Sequence, residues 1–285
     1  MGHLADQSAP GLPAWLRVLI YILAAFLFTF FFSILFLGVL DFEGGRNIYQ
    51  KLLYNILMLL GFACSYYLFA KYFEGYTSLP NYLKWNFNAL LIGLGYGFVL
   101  ISLCAVIMVS SSVLSFQFNE LNSHLPLYFL LMFLVSLGEE LAFRGYILNT
   151  LSSAYGKITG VLGSSLLFGL VHWFNDHSTV VGIITLSLFG VLLALLYYRF
   201  SSIWLPVGLH LTWNYTQGSV FGFAISGHDS NGILKVLFRS DTPYLSGEGF
   251  GMEGSVFFMT ITLIAIAVEY QRCRTSSKKD TLRKG

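Results

Sequence analysis

Charge is what this sequence has least of. Lysine, arginine, aspartate and glutamate together make up 11% of its residues, against about 25% in an ordinary soluble domain. So few charges cannot cover the surface of a water-soluble protein that is 56% hydrophobic and 17% aromatic. The net charge of +2, with no basic stripe outside the last residues, argues against a nucleic-acid partner. Cysteine is equally scarce. Cys64, Cys104 and Cys273 show neither metal-ligand nor disulfide spacing. The first two fall in apolar runs and read as packing residues, and the third, beside the basic tail, reads as a plain thiol. There is no G-x-S-x-G, no reactive-cysteine pattern and no H-E-x-x-H, so a covalent nucleophile or a zincin-type site is not indicated. A cleavable signal peptide is not read either. The first apolar run, Val18 to Leu40, exceeds a signal h-region and lacks a small-residue cleavage site. Met1-Gly2 is followed by Asp6 rather than the Ser or Thr of a myristoylation signal.

What the chain does have is long apolar runs. Eight segments approach the roughly 20 residues a membrane-spanning helix needs: 16–40, 52–73, 88–114, 125–150, 158–175, 179–199, 202–224 and 254–270. They predict an all-α polytopic membrane bundle of about eight transmembrane helices. A polar tail (1–14) precedes a membrane domain (15–271), and a basic tail (272–285) follows. The fifth and last segments are short. Gly160, Gly163 and Gly169 in the fifth predict close packing against a neighbour. One loop is long, Ser226 to Glu253; it is Gly-rich, reads as a lid or a connector, and carries a predicted amphipathic turn at Ile233–Leu237. With eight spans both termini share a side. That side holds Arg17, Lys71, Lys84, Lys157, Arg199 and the basic tail, against Arg46, Lys51, Lys235 and Arg239 on the other. The positive-inside rule therefore puts both termini in the cytoplasm.

Polar groups interrupt the apolar runs at three places. Glu139, Glu140 and Arg144 lie within the fourth, after its apolar run Leu125 to Leu137, where each charge at a helix centre costs about 2.5–3.5 kcal/mol to insert. Glu140 and Arg144 are four apart, share a helical face and can pair; Glu139 points about 100° away and stays free for chemistry. Phe168-x-x-x-His172 ends the fifth segment and His210-x-x-x-Asn214 lies in the seventh. Each is an i,i+4 pair presenting one face. His177 and His228 read as loop histidines and His3 belongs to the tail. Ser164 and Ser165 read as packing residues. A carboxylate with imidazoles can activate water as a general base, and a histidine with an asparagine amide can donate to a developing oxyanion. Glu139, His172 and His210 could instead hold a metal that acidifies the water. Both arrangements hydrolyse a carbonyl substrate within the membrane.

The ordered trio resembles the CPBP family, the intramembrane CAAX-prenyl-protease and bacteriocin-processing proteins. That family carries E-E-x-x-x-R, F-x-x-x-H and H-x-x-x-N/D in this order. The resemblance covers about residues 125–220, the core of the membrane domain. The flanks Phe143-Arg144-Gly145 and Trp204-Leu205-Pro206-Val207-Gly208-Leu209-His210 are similar to its bacterial branch, which implies a bacterial inner membrane. The resemblance implies that Glu139 and His172 activate water, that His210 and Asn214 stabilise the oxyanion, and that Glu140 and Arg144, with Phe168, hold the site together. Members are often labelled metalloproteases, so zinc on Glu139, His172 and His210 is one expectation. The metal-free route is favoured, because Asn214 suits an oxyanion donor better than a zinc ligand. The expected partners are the bilayer and a membrane-bound peptide or protein substrate. Two rival readings are a non-catalytic scaffold or bacteriocin-immunity protein, and a transporter or proton relay. Intact base and oxyanion candidates favour the enzyme over the scaffold, and no internal repeat supports a transporter.

Overall fold

The structure, a computed structural model, describes residues 12–37 and 47–282. The predicted N-terminal tail through residue 11, with His3, lies outside it, as do Arg46 and residues 283–285. The chain forms α1 (Ala14–Leu37), α2 (Ile48–Tyr72), α3 (Phe87–Ser110), β1 (Leu114–Phe118), α4 (Leu125–Glu140), α5 (Leu148–Tyr155) and α6 (Lys157–Val171). It continues through α7 (Val180–Phe200), α8 (Trp204–Tyr215), β2 (Leu234–Phe238), α9 (Pro243–Ser246) and α10 (Val256–Leu282). Local chemistry starts and stops these helices. Asn47 and Gln50 form a reciprocal capping box at α2. Asn86 and Thr179 cap α3 and α7 through the backbone amides of Ala89 and Gly182.

The protein is an all-α polytopic membrane bundle. Seven stretches are long and apolar enough to span a membrane, among the described residues. The predicted seventh span is the exception. It is α8, twelve residues long, continued by a five-residue π-helical turn, Thr216–Val220. Nearly all of α8 is buried, since it packs against α3, α4 and α7 rather than facing lipid. A helix wrapped by others has no bilayer thickness to match. The predicted last span differs the other way: α10 runs through the expected start of the basic tail to Leu282, with its apolar stretch reaching Thr275. The predicted amphipathic turn at 233–237 is a strand. β2 pairs antiparallel with β1, Phe116 opposite Val236, and Phe116 packs against the rings of Phe221 and Phe223, which holds the loop on the bundle end.

Glycine sets how closely α8 is held. A Cβ on Gly97 would sit 2.5 Å from the Leu209 carbonyl, and Cβ atoms on Gly93 and Gly208 would overlap the backbones of Leu205 and Leu90. Small residues thus bring α3 and α8 backbone to backbone, as membrane helices do when lipid gives no hydrophobic drive. Gly169 does the same for α6 against α7, where a Cβ would sit 2.7 Å from the Ile183 carbonyl. Gly160 likewise seats α6 on α5, as expected of that glycine-rich segment.

Arg17 at the start of α1 pairs with Glu74 just past α2, N–O 2.7 Å. Glu269 of α10 pairs with Arg199 at the end of α7, 2.6 Å, and the next residues, through Ile203, hydrogen-bond Tyr82 of the α2–α3 connection. The first turn of α1 and the Glu269 region of α10 therefore share one end of the bundle, and the sheet marks the other. Reporter domains fused to the two termini should read the same side of the membrane; opposite readings would contradict this arrangement.

Candidate active site

The fourth apolar segment does not run as a plain α-helix. Directly after Glu140 it widens into a π-helical turn, Leu141–Ile147, before resuming as α5. Such turns leave carbonyls without their usual partners and recur at functional sites. Here the partners come from elsewhere. Asn149 Nδ2 donates to the carbonyls of Arg144 (2.8 Å) and Gly145 (3.0 Å), and the Tyr82 hydroxyl donates to Gly145 (3.1 Å). Tyr197 in turn donates to Asn149 Oδ1 at 3.0 Å. Sequence reasoning missed Asn149, Tyr82 and Tyr197. The one available signal was an Asn in an apolar segment, five residues beyond Arg144.

The turn presents Arg144 inward. Its Nη1 donates to Glu140 Oε1 at 3.0 Å and its Nη2 to the Gly190 carbonyl of α7 at 3.0 Å, both side chains being essentially fully buried. The guanidinium also lies over the Phe168 ring, 4.7 Å from its centroid, a cation–π contact that uses the aromatic of the second motif. The pair expected from i,i+4 spacing is therefore present.

Glu140 carries a second load. His210 Nδ1 of α8 is 3.1 Å from the same Oε1. The other face of that imidazole, Nε2, lies 3.9 Å from Glu139 Oε2. His210 thus spans both glutamates. Its ring is fixed by edge contacts with Phe168 and Phe189, centroids 5.9 and 6.0 Å away. Glu139 differs from its neighbour as expected. Its side chain stays 21% accessible, and its Oε2 has no hydrogen-bond partner among the described residues. His172, which ends α6, places Nδ1 2.7 Å from the Phe168 carbonyl. A carbonyl only accepts, so Nδ1 carries the proton and Nε2 is left with its lone pair. Asn214, one turn beyond His210, is buried, and its amide has no hydrogen-bond partner among the described residues.

The structure therefore brings Glu139, Glu140, Arg144, Phe168, His172 and His210 into one cluster, with Asn214 on the same helix as His210. His177 and His228 stay in loops, His177 against Gly249 and His228 hydrogen-bonded to Ile225. Ser164 and Ser165 are buried, and Ser165 packs where Gly190 leaves room. No group of three or more His, Cys, Asp or Glu among the described residues is placed to hold an ion. Glu139, His172 and His210 do not form a three-donor set in this geometry, and His210 Nδ1 is engaged by Glu140.

Removing Glu140 would strand Arg144 and His210 together. Breaking a buried pair costs about 3–5 kcal/mol, so Glu140→Ala should lower the thermal midpoint in detergent markedly. An unchanged midpoint would mean that the pair contributes nothing to the fold.

Comparison with known proteins bears on the same stretch. No curated protein and no solved structure matches the chain. One family model does, described as type II CAAX prenyl endopeptidase Rce1-like, over residues 121–216, a segment that holds all three motifs. It is through this segment, about a third of the chain, that the protein is similar to the CAAX-protease family.

Proposed function

We propose that this protein is a CAAX-type intramembrane endopeptidase that hydrolyses a peptide bond of a membrane-associated substrate with a water activated by Glu139 and His172. The observation that carries the reading is the contrast between adjacent glutamates. Glu140 is consumed by Arg144 and His210 and is fully buried. Glu139 is a partly accessible carboxylate whose Oε2 accepts no hydrogen bond among the described residues and lies 3.9 Å from His210 Nε2.

In this reading Glu139 takes a proton from water as the water oxygen bonds to the scissile carbonyl carbon. His172 Nε2, bare because Nδ1 is spent on Phe168, accepts a hydrogen bond from the same water. Donation from both ring nitrogens of His210, Nδ1 to Glu140 and Nε2 into the site, requires its doubly protonated form. Nε2–H of His210 and the free amide of Asn214 stabilise the oxyanion. As the carbonyl re-forms and the C–N bond breaks, Glu139 returns its proton to the departing amine. The family description is of a CAAX prenyl endopeptidase, and from that name we take a prenylated CAAX-type peptide as the proposed substrate class of this chain. We place both termini in the cytoplasm of a bacterial cell, on the weight of the Lys and Arg in the C-terminal tail and of the flanks of Arg144 and His210.

Glu139→Gln keeps the volume and one acceptor but removes the base. It should abolish cleavage of a membrane-peptide library by purified protein while leaving the thermal midpoint near wild type. Normal turnover by a folded variant would exclude Glu139 as the base.

Asn214→Ala separates the oxyanion role from a metal role. Losing one oxyanion donor typically costs about 10²–10³ in kcat, so kcat should fall by that factor with KM little changed. Elemental analysis should find no stoichiometric zinc, and chelators should leave activity intact. Zinc bound at one equivalent, lost in both His172→Ala and His210→Ala but kept in Asn214→Ala, would replace the metal-free mechanism.

A further inference from the structure

A second buried acid lies outside the motifs. Glu253 sits on a short 3₁₀ turn, Met252–Gly254, just ahead of α10, and is 1% exposed. Its Oε2 accepts from Gln217 Nε2 at 2.5 Å. Its Oε1 accepts from Trp213 Nε1 at 3.2 Å and from Ser226 Oγ at 3.5 Å. All three partners donate, which suits an acceptor-only carboxylate. Burial pushes the Glu253 carboxyl above its ordinary range, and its donors, Gln217 foremost, act in the other direction. Gly251, at φ +97°, lets the chain approach: a Cβ there would sit 2.9 Å from both Gln217 Nε2 and Glu253 Oε2.

These partners are not random core residues. Trp213 and Gln217 flank Asn214 on the helix that also bears His210. Trp213 stacks on Phe258 at 3.8 Å, and both contact Phe189, the ring that packs against His210. The third partner leads to the other histidine. The Ser226 carbonyl accepts from Asn175 Nδ2 at 2.8 Å. Asn175 closes the turn that begins at His172, its amide donating to the His172 carbonyl at 3.1 Å. Gly227, also at positive φ, lies directly on the Asp176 carbonyl. One continuous chain of hydrogen bonds therefore joins the His172 turn, through Asn175, Ser226 and Glu253, to the His210–Asn214 helix.

We infer that Glu253 is a positioning residue that fixes the two histidine-bearing elements relative to each other through the 221–254 segment. Only the kinetic arm of its test rests on the endopeptidase reading.

The test uses full-length protein in detergent, with hydrogen–deuterium exchange, thermal midpoint and steady-state cleavage measured together. Glu253→Gln places an amide donor among donors. It should raise amide exchange about tenfold or more, the change expected for local opening, in both 172–177 and 213–220, with α1 and α2 unchanged. With peptide substrate, kcat should drop about tenfold or more, equivalent to 1.4 kcal/mol, with KM close to wild type. Asn175→Ala cuts the chain on one side and should raise exchange at 172–177 only; it also keeps the inference testable if Glu253→Gln does not fold. An increase confined to 250–256, a uniform increase across all helices, or no change at 172–177 in Asn175→Ala overturns the positioning role. If the wild-type protein cleaves nothing, the functional reading falls while the exchange pattern still decides the role of Glu253.

Discussion

Everything at this site depends on one constraint: two carboxylates placed where there is little water to solvate them. Burying even one ionised carboxylate without partners is prohibitive. Glu140 meets the constraint by sharing a single oxygen between Arg144 and His210. That shared oxygen ties α4 to α8, and the second guanidinium nitrogen ties the same cluster to α7 through Gly190. The ion pair is therefore a three-helix joint as well as a local i,i+4 contact. Each glutamate keeps one oxygen, Oε2, without a hydrogen-bond partner among the described residues, and what sets Glu139 apart is its opening to the surface.

The joint shapes the backbone around it. A π-helical turn follows Glu140, and another follows Asn214. Each frees backbone groups or shifts side chains in a way that an apolar core could not tolerate alone, and each is compensated by polar groups both nearby and from distant segments. Asn149, Tyr82 and Tyr197 serve the first. Gln217 of the second is held by Glu253 and by the Ala224 carbonyl. The glycines of α3 and α8 complete the frame by removing the side chains that would hold the two backbones apart.

By itself the sequence determined the membrane class, seven of its eight spans, the i,i+4 pairing of Glu140 with Arg144, and the separate direction of Glu139. These follow from composition and the helical repeat, which act over a few residues and are visible in one dimension. It also named the three motifs, through their order on three apolar runs. What only the tertiary structure decided is how the motifs meet. That His210 spans both glutamates, that His172 spends Nδ1 on the Phe168 carbonyl, and that α8 is a short, enclosed central helix depend on crossings between segments tens of residues apart. Glu253 was legible only as the end of a loop, because a carboxylate beside an apolar run looks the same whether it faces water or three buried donors. The donors come from Trp213, Gln217 and Ser226, and only folding brings that loop back onto α8.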